Sequence, residues 1–461
     1  MTTKSQQTSA GTRSAGLPSV DPIVRQVSPF ALEHVTLVAC DGSDATYPDR
    51  TVIVGASGMI EDVGASSSLN HSVPAGYRRV SGAGRYLIPG LVNLHAHGFD
   101  DGRPRIVHSP ALRSIRERLH TDRHRRKRLA YMSAESMFTE LASGVTTVRT
   151  VGDMGYEMVE LRDSVNTGHV VGPRILASGP TLGGPLAERI TLTGVTVDEV
   201  RENCRRNIEA GVNVLSVALT ADADGDIDVS GLSHVEMDES VVRVICDEAH
   251  RRSIPVAARA QSAEAVHTAL LAGVDTIEHG ADFGADCNEL FWRNPRSLRG
   301  WSALVPMVLE AEAYASLPPD ALGQSETAHS NAVMMRNGVL DAVRGAALAD
   351  VPIGVGTDAG MEYMPHYGIW RELDAMVRFG GLTRAQALHC ATGQGARILG
   401  LESVTGSIEP GKYADMVMLR GNPLRHLRDL ENPVLIVSRG SMLWRPTVRR
   451  YADLDRSLNT L

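Results

Sequence analysis

The stretch Leu91-Val92-Asn93-Leu94-His95-Ala96-His97-Gly98, entered through Ile88-Pro89-Gly90, reads as a strand that ends in two histidines. Side chains alternate along a strand, so His95 and His97 share one face and Ala96 points to the other. Two imidazoles on one side of a strand end begin a metal site if they face a cavity. By themselves they are equally a pair of surface histidines beside a glycine turn. Partners elsewhere in the chain must decide.

Outward from this stretch, strand-like runs alternate with helical ones. After Leu91–His97 come residues 146–151, 173–179, 212–219, 254–260, 275–280, 302–308 and 351–357, which makes eight candidate strands. Helical periodicity is clearest from Val197 to Ala210 and from Met237 to Arg252. Ser262 is placed to cap a helix that runs to Ala272 and ends at Gly273. Eight successive β-then-α units predict a (β/α)8 TIM-type barrel over residues 87–401. Short β-prone runs on either side, residues 30–86 and 402–450, predict a small β-sandwich domain assembled from both chain ends. That far-end pattern includes Gly406-Ser407-Ile408, Tyr413 to Arg420 and Pro433 to Ser438. Residues 1–29 are polar and rich in Ser, Thr, Gly and Gln, and read as a flexible tail.

Composition narrows the partners. A net charge of -8 does not suggest nucleic acid, and no apolar run is long enough to span a membrane. Five scattered cysteines without a CxxC suit a reducing compartment, so a cytoplasmic location is expected. A small-molecule substrate and a homo-oligomeric state are expected. The basic run Arg113 to Arg128 reads as a surface helix, and Asp222 to Asp228 as a solvated loop whose glycine is misplaced for a calcium hand.

Barrel chemistry sits at the C-terminal ends of strands. His279 closes Asp275-Thr276-Ile277-Glu278-His279-Gly280, and Asp358 closes Ile353-Gly354-Val355-Gly356-Thr357-Asp358. With His95 and His97, four such groups would converge on one mouth.

These segments resemble the amidohydrolase superfamily, within it the imidazolonepropionase and Xaa-Pro dipeptidase (prolidase-like) branch, from about Phe30 to Arg445. The resemblance is carried by Leu87-Ile88-Pro89-Gly90-Leu91-Val92 leading into His95-Ala96-His97, and by Gly144-Val145-Thr146-Thr147-Val148-Arg149. Gly273 to Gly280, Gly356-Thr357-Asp358-Ala359-Gly360 and Gly406 to Asp415 extend it. It implies two divalent metals sharing a hydroxide. The ligands it implies are the strand-1 HxH pair, a carboxylated lysine on strand 4, histidines on strands 5 and 6, and an aspartate on strand 8.

The chain departs from that pattern. Strand 4 reads Val214-Leu215-Ser216-Val217, so Ser216 stands at the bridging lysine, and no lysine occurs between Lys127 and Lys412. Strand 5 reads Val256-Ala257-Ala258-Arg259-Ala260-Gln261-Ser262, with Arg259 and Gln261 at the histidine positions. A Gly-Gly-His-Gly segment becomes Gly183-Gly184-Pro185-Leu186. The outer metal would keep only His279 and is expected to be absent. His95, His97 and Asp358 could hold one divalent ion, Zn2+ or similar. Arg259 is permanently charged and leaves two options open. It could pair with Asp358, which favours a metal-free site, or grip a substrate carboxylate bidentately.

The expectation is an enzyme acting on a C–N bond of a small molecule, with Asp358 as general base and His279 or Arg259 stabilising the oxyanion. Arg259, Gln261 and His366, the last from Pro365-His366-Tyr367-Gly368, are the expected substrate contacts. The alternative is a non-hydrolytic step such as cyclisation, dehydration or isomerisation in secondary metabolism. A third reading, a catalytically silent binding protein, gives no physical reason to keep all four strand-end groups.

Overall fold

The structure is a computed structural model and describes residues 27–104, 122–184, 191–194, 196–221 and 234–461. The chain opens with β1 (Phe30–Val38), β2 (Thr46–Val54), β3 (Ile60–Ala65), β4 (Arg78–Ser81) and β5 (Tyr86–Pro89). The middle supplies β6 (Leu91–Ala96), β7 (Val145–Thr150), β8 (Arg174–Leu176), β9 (Thr181–Gly183), β10 (Thr191–Thr193), β11 (Leu215–Ala218), β12 (Val256–Ala260), β13 (Thr276–His279) and β14 (Ala303–Val305). The end adds β15 (Met416–Leu419), β16 (Leu435–Ser438) and β17 (Ser441–Trp444).

Both chain ends enter one eight-stranded sheet, ordered β17-β16-β15-β5-β1-β2-β3 with β4 beside β1. Its seam is the antiparallel pairing of β5 with β15, Ile88 opposite Val417. Apolar side chains from the two ends, among them Phe30, Leu32, Val52, Met416 and Leu435, share one buried cluster. Gly406 to Ile408 is not a strand. Gly406 has φ 90°, and a Cβ there would lie 2.5 Å from Ala396 Cβ, so this bend packs against the helix Gly393–Leu399.

The middle strands are all parallel. β6-β7-β8 form one run and β10-β9-β11-β12-β13-β14 another. Asn213 N donates to Ala177 O at 2.7 Å, across the gap between β8 and β11. The eighth expected strand, 351–357, bonds on both sides through isolated bridges instead of a ladder. Gly354 N reaches Leu304 O at 2.8 Å, and Val355 O accepts from Leu94 N at 2.7 Å. Glycine is required for this close approach: a Cβ at Gly354 would sit 2.2 Å from Leu94 Cδ1, and one at Gly356 would sit 2.7 Å from His95 Cβ. The arrangement is an α/β fold consistent with a TIM-type barrel.

Helices fall between the strands as the periodicity predicts. Val197–Glu209 starts with a Thr196/Glu199 capping box, and Glu239–His250 buries Val242, Ile245 and Ala249. Ala263–Ala272 is capped by the Ser262 side chain on Ala265 N and stopped by Gly273 at φ 104°. Of the basic run, Arg123 to Arg128 form the exposed first turns of the helix Arg123–Ala142. The remainder of that run in 105–121, the tail through residue 26, Pro185, Leu186 and the Asp222 to Asp228 loop lie outside the described residues. No described helix is long and apolar enough to cross a membrane.

Candidate metal centre

His95 and His97 leave β6 buried, 4% and 6% exposed. Each has one ring nitrogen committed. His95 Nδ1 lies 2.7 Å from Glu278 Oε2, and Glu278 Oε1 accepts from Arg149 at 2.6 Å. His97 Nδ1 donates to Gly152 O at 2.9 Å, since a carbonyl can only accept. Both Nδ1 atoms therefore carry the proton, and both Nε2 atoms turn the same way, towards Asp358. Asp358 Oδ1 lies 2.8 Å from His97 Nε2 and 3.4 Å from His95 Nε2.

The strand-8 segment is fixed to β6 by Asn93, which donates to Thr357 Oγ1 at 2.8 Å and accepts from Thr357 N at 3.2 Å. Asp358 itself has φ 52°, and His279 at the end of β13 has φ 63°. A left-handed backbone at a non-glycine residue is strained, and here two site residues adopt it.

Burial works against ionisation of Asp358, but the hydrogen bond and charge of His97, helped by the neighbouring His95 and His279 imidazoles, outweigh it. The carboxyl is held far below the usual range. Burial similarly opposes a charged His97, yet Asp358 raises it above the ordinary imidazole value. His279 goes the other way: burial pushes it down to about 4, against the pull of Asp358 and with help from the Arg259 charge. At neutral pH His279 is an uncharged imidazole.

His279 Nδ1 lies 3.2 Å from Glu310 Oε2. Glu310 sits in the first turn of the helix Val308–Ser316, which follows Met307 at φ 45°. Burial raises its carboxyl well above the usual range, and the charge and hydrogen bond of Asp358 add to this. Two groups of ligand atoms result, His95/His97/Asp358 and His279/Glu310/Asp358, each with all its atoms within 4.8 Å of one another.

The β11–β12 side of the site is built differently. Ser216 is buried and its Oγ pairs with Thr181 Oγ1 at 2.9 Å. Arg259 stands opposite Glu278 in the β12–β13 register and donates to Thr220 O at 2.9 Å. Gln261 Oε1 accepts from Thr220 Oγ1 at 3.4 Å. His366 does not join this group: Nδ1 lies 3.0 Å from Glu140 Oε1 and Nε2 lies 2.8 Å from Asp100 O. It lines instead a cavity of about 260 Å³ with Asp100, Arg103, Arg128 and Tyr451.

The structure thus brings His95, His97, His279 and Asp358 together, with the Arg259 charge felt by His279 and Glu310. Glu310 is the residue that sequence reasoning misses. Its signal is position, two residues past the seventh candidate strand.

A family model described as "Amidohydrolase family" matches residues 86–442, and the chain belongs to that family. It is an enzyme of that family, with hydrolases among its neighbours. A Bifidobacterium longum protein provisionally called a prolidase is 38% identical, with 94% of this chain and 99% of that one aligned at a TM-score of 0.84. Ochratoxinase of Aspergillus niger is 24% identical over 86% of this chain and 78% of its own length. A Xaa-Pro dipeptidase solved with methionine in its active site shares the fold, at 24% identity, 90% and 100% coverage and a TM-score of 0.77.

Proposed function

We propose that this enzyme hydrolyses a C–N bond in a small molecule that carries a carboxylate, using one divalent ion held by His95, His97 and Asp358. One observation carries the reading: both histidines spend Nδ1 on fixed acceptors, so both Nε2 atoms converge on the Asp358 carboxylate. An imidazole pair and a carboxylate suit Zn2+ or a similar ion. Such an ion, when bound, polarises a carbonyl and brings the pKa of water towards neutrality.

The protein groups have separable tasks. Asp358 is ionised and takes the proton of the attacking water at a carboxylate oxygen, then returns it to the leaving amine. Neutral His279 offers an N–H donor to the developing oxyanion. Arg259 orients the substrate through its carboxylate, as two parallel N–H bonds allow, and Gln261 borders the same space. The names of the relatives, a prolidase and an ochratoxinase, support a substrate of this class. Underlying this is residues 87–401 as a closed (β/α)8 barrel, with 30–86 and 402–450 as its accompanying sheet unit. Five free, buried cysteines fit a cytoplasmic setting.

Ser216 and Arg259, where the family resemblance implies ligands, favour the second reading, a non-hydrolytic step. The test is metal analysis of protein purified without added metal, followed by turnover of C-terminal-proline dipeptides and N-acyl amino acids. At least one equivalent of metal and amine release are expected. An Asp358→Asn variant should lose about 10²–10⁴-fold in kcat. Unchanged turnover removes Asp358 as base, and product without amine release moves the assignment to the second reading.

A further inference from the structure

We infer a second divalent-cation position, held by His279, Glu310 and Asp358, in which Glu310 replaces the lysine and histidine that Ser216 and Arg259 have displaced. This rests on the first position, since Asp358 belongs to both groups.

Three observations carry it. The first is convergence. One imidazole nitrogen and two carboxylate oxygens from three separate elements lie within 4.8 Å of one another. That donor set suits Zn2+, Co2+ or Mn2+. The second is rigidity. Glu310 is not on a wandering loop: the amides of Val308 and Leu309, two residues and one residue before it, are held by the buried Glu372 carboxylate at 2.7 and 2.8 Å. The Glu310 side chain is 14% exposed and that of Asp358 is 5%.

The third is charge. Two adjacent carboxylates taken out of water repel one another unless a proton or a cation lies between them. Arg259 offsets part of this, but its guanidinium also directs an N–H to the Thr220 carbonyl. The same guanidinium repels an incoming cation, so this second position binds more weakly than the first. Neither Ser216, bonded to Thr181, nor Arg259 supplies a ligand to it. Glu310 does so from the strand-7 side.

The experiment is a Co2+ titration of chelator-stripped protein, followed by visible absorption and by metal content after equilibrium dialysis. Wild type should take up two equivalents, the second at least tenfold weaker. Glu310→Gln and His279→Gln should each plateau at one, and circular dichroism checks that they are folded. If one variant does not fold, the other carries the test. A wild-type plateau at one equivalent overturns the second position and leaves the first intact. No uptake overturns both. Retention of two equivalents in both folded variants places the second ion elsewhere and also overturns the assignment.

Discussion

Strand β13 has a histidine–carboxylate pair at each end, and the two pairs behave oppositely. At the N-terminal end His250 Nε2 lies 2.8 Å from Asp275 Oδ2. At the C-terminal end His279 faces Glu310 at 3.2 Å. Burial disfavours the charged form of both histidines. For His250 the Asp275 hydrogen bond and charge prevail and raise its pKa, whereas His279 is driven down to about 4.

The surroundings of the acid explain the contrast. Asp275 also accepts from the amides of Val256 and Leu298 at 2.7 Å each, so donors saturate it and it serves as a clasp between segments. Glu310 faces another carboxylate, Asp358, and the Arg259 charge acts on both it and His279. The same pairing of imidazole with carboxylate makes a stabilising joint at one end of a strand and a reactive cluster at the other. This is the division of labour expected between strand ends in a fold consistent with a TIM-type barrel.

The contrast breaks most visibly at Glu278, which holds His95 on one oxygen and Arg149 on the other. Glu278→Gln should cost about 3–5 kcal/mol in denaturant unfolding, because the Arg149 charge stays buried without its counter-ion. It should also weaken metal binding about 10–100-fold as His95 loses its orienting partner. A loss of stability with unchanged metal affinity would mean that this end is organised for packing alone.

His250→Gln tests the opposite end. A histidine whose folded pKa is raised contributes stability below its unfolded value, near 6.5, and loses that contribution as pH rises through the folded value. The gap to wild type should therefore be about 1.5–3 kcal/mol near pH 6 and narrow above neutrality, with metal content unaffected. A gap that widens with pH would reverse the assignment. The smallest effect belongs to Ser216→Ala, which removes one hydroxyl pair with Thr181. About 1 kcal/mol or less of stability should be lost, with turnover unchanged. A collapse of turnover would bring the β11 side into the chemistry.

Much of this is legible in the sequence because period and position carry it. Alternation puts His95 and His97 on one face, Asp358 closes the eighth strand-like run, and Ser262 and Gly273 bracket their helix to the residue. What is hidden depends on contacts between distant segments. Arg149 and Glu278 stand inside recognisable strands, but only the folded chain brings β7 and β13 close enough for them to pair. Glu310 resembles an ordinary acidic first turn, and the left-handed Met307 precedes the helix that carries it into the mouth. His366 lies in a family-like Pro-His-x-Gly, yet its two nitrogens face Glu140 and the Asp100 carbonyl, which periodicity does not reveal.

The pairing of β5 with β15 also bears on how this chain is made. When Tyr86–Pro89 leaves the ribosome, its partner Met416–Leu419 has not been synthesised. Until it is, β5 presents an unpaired edge, a template for the wrong neighbour. Closure of the sheet therefore waits for residues 416–419, and a message truncated before residue 416 leaves that edge open.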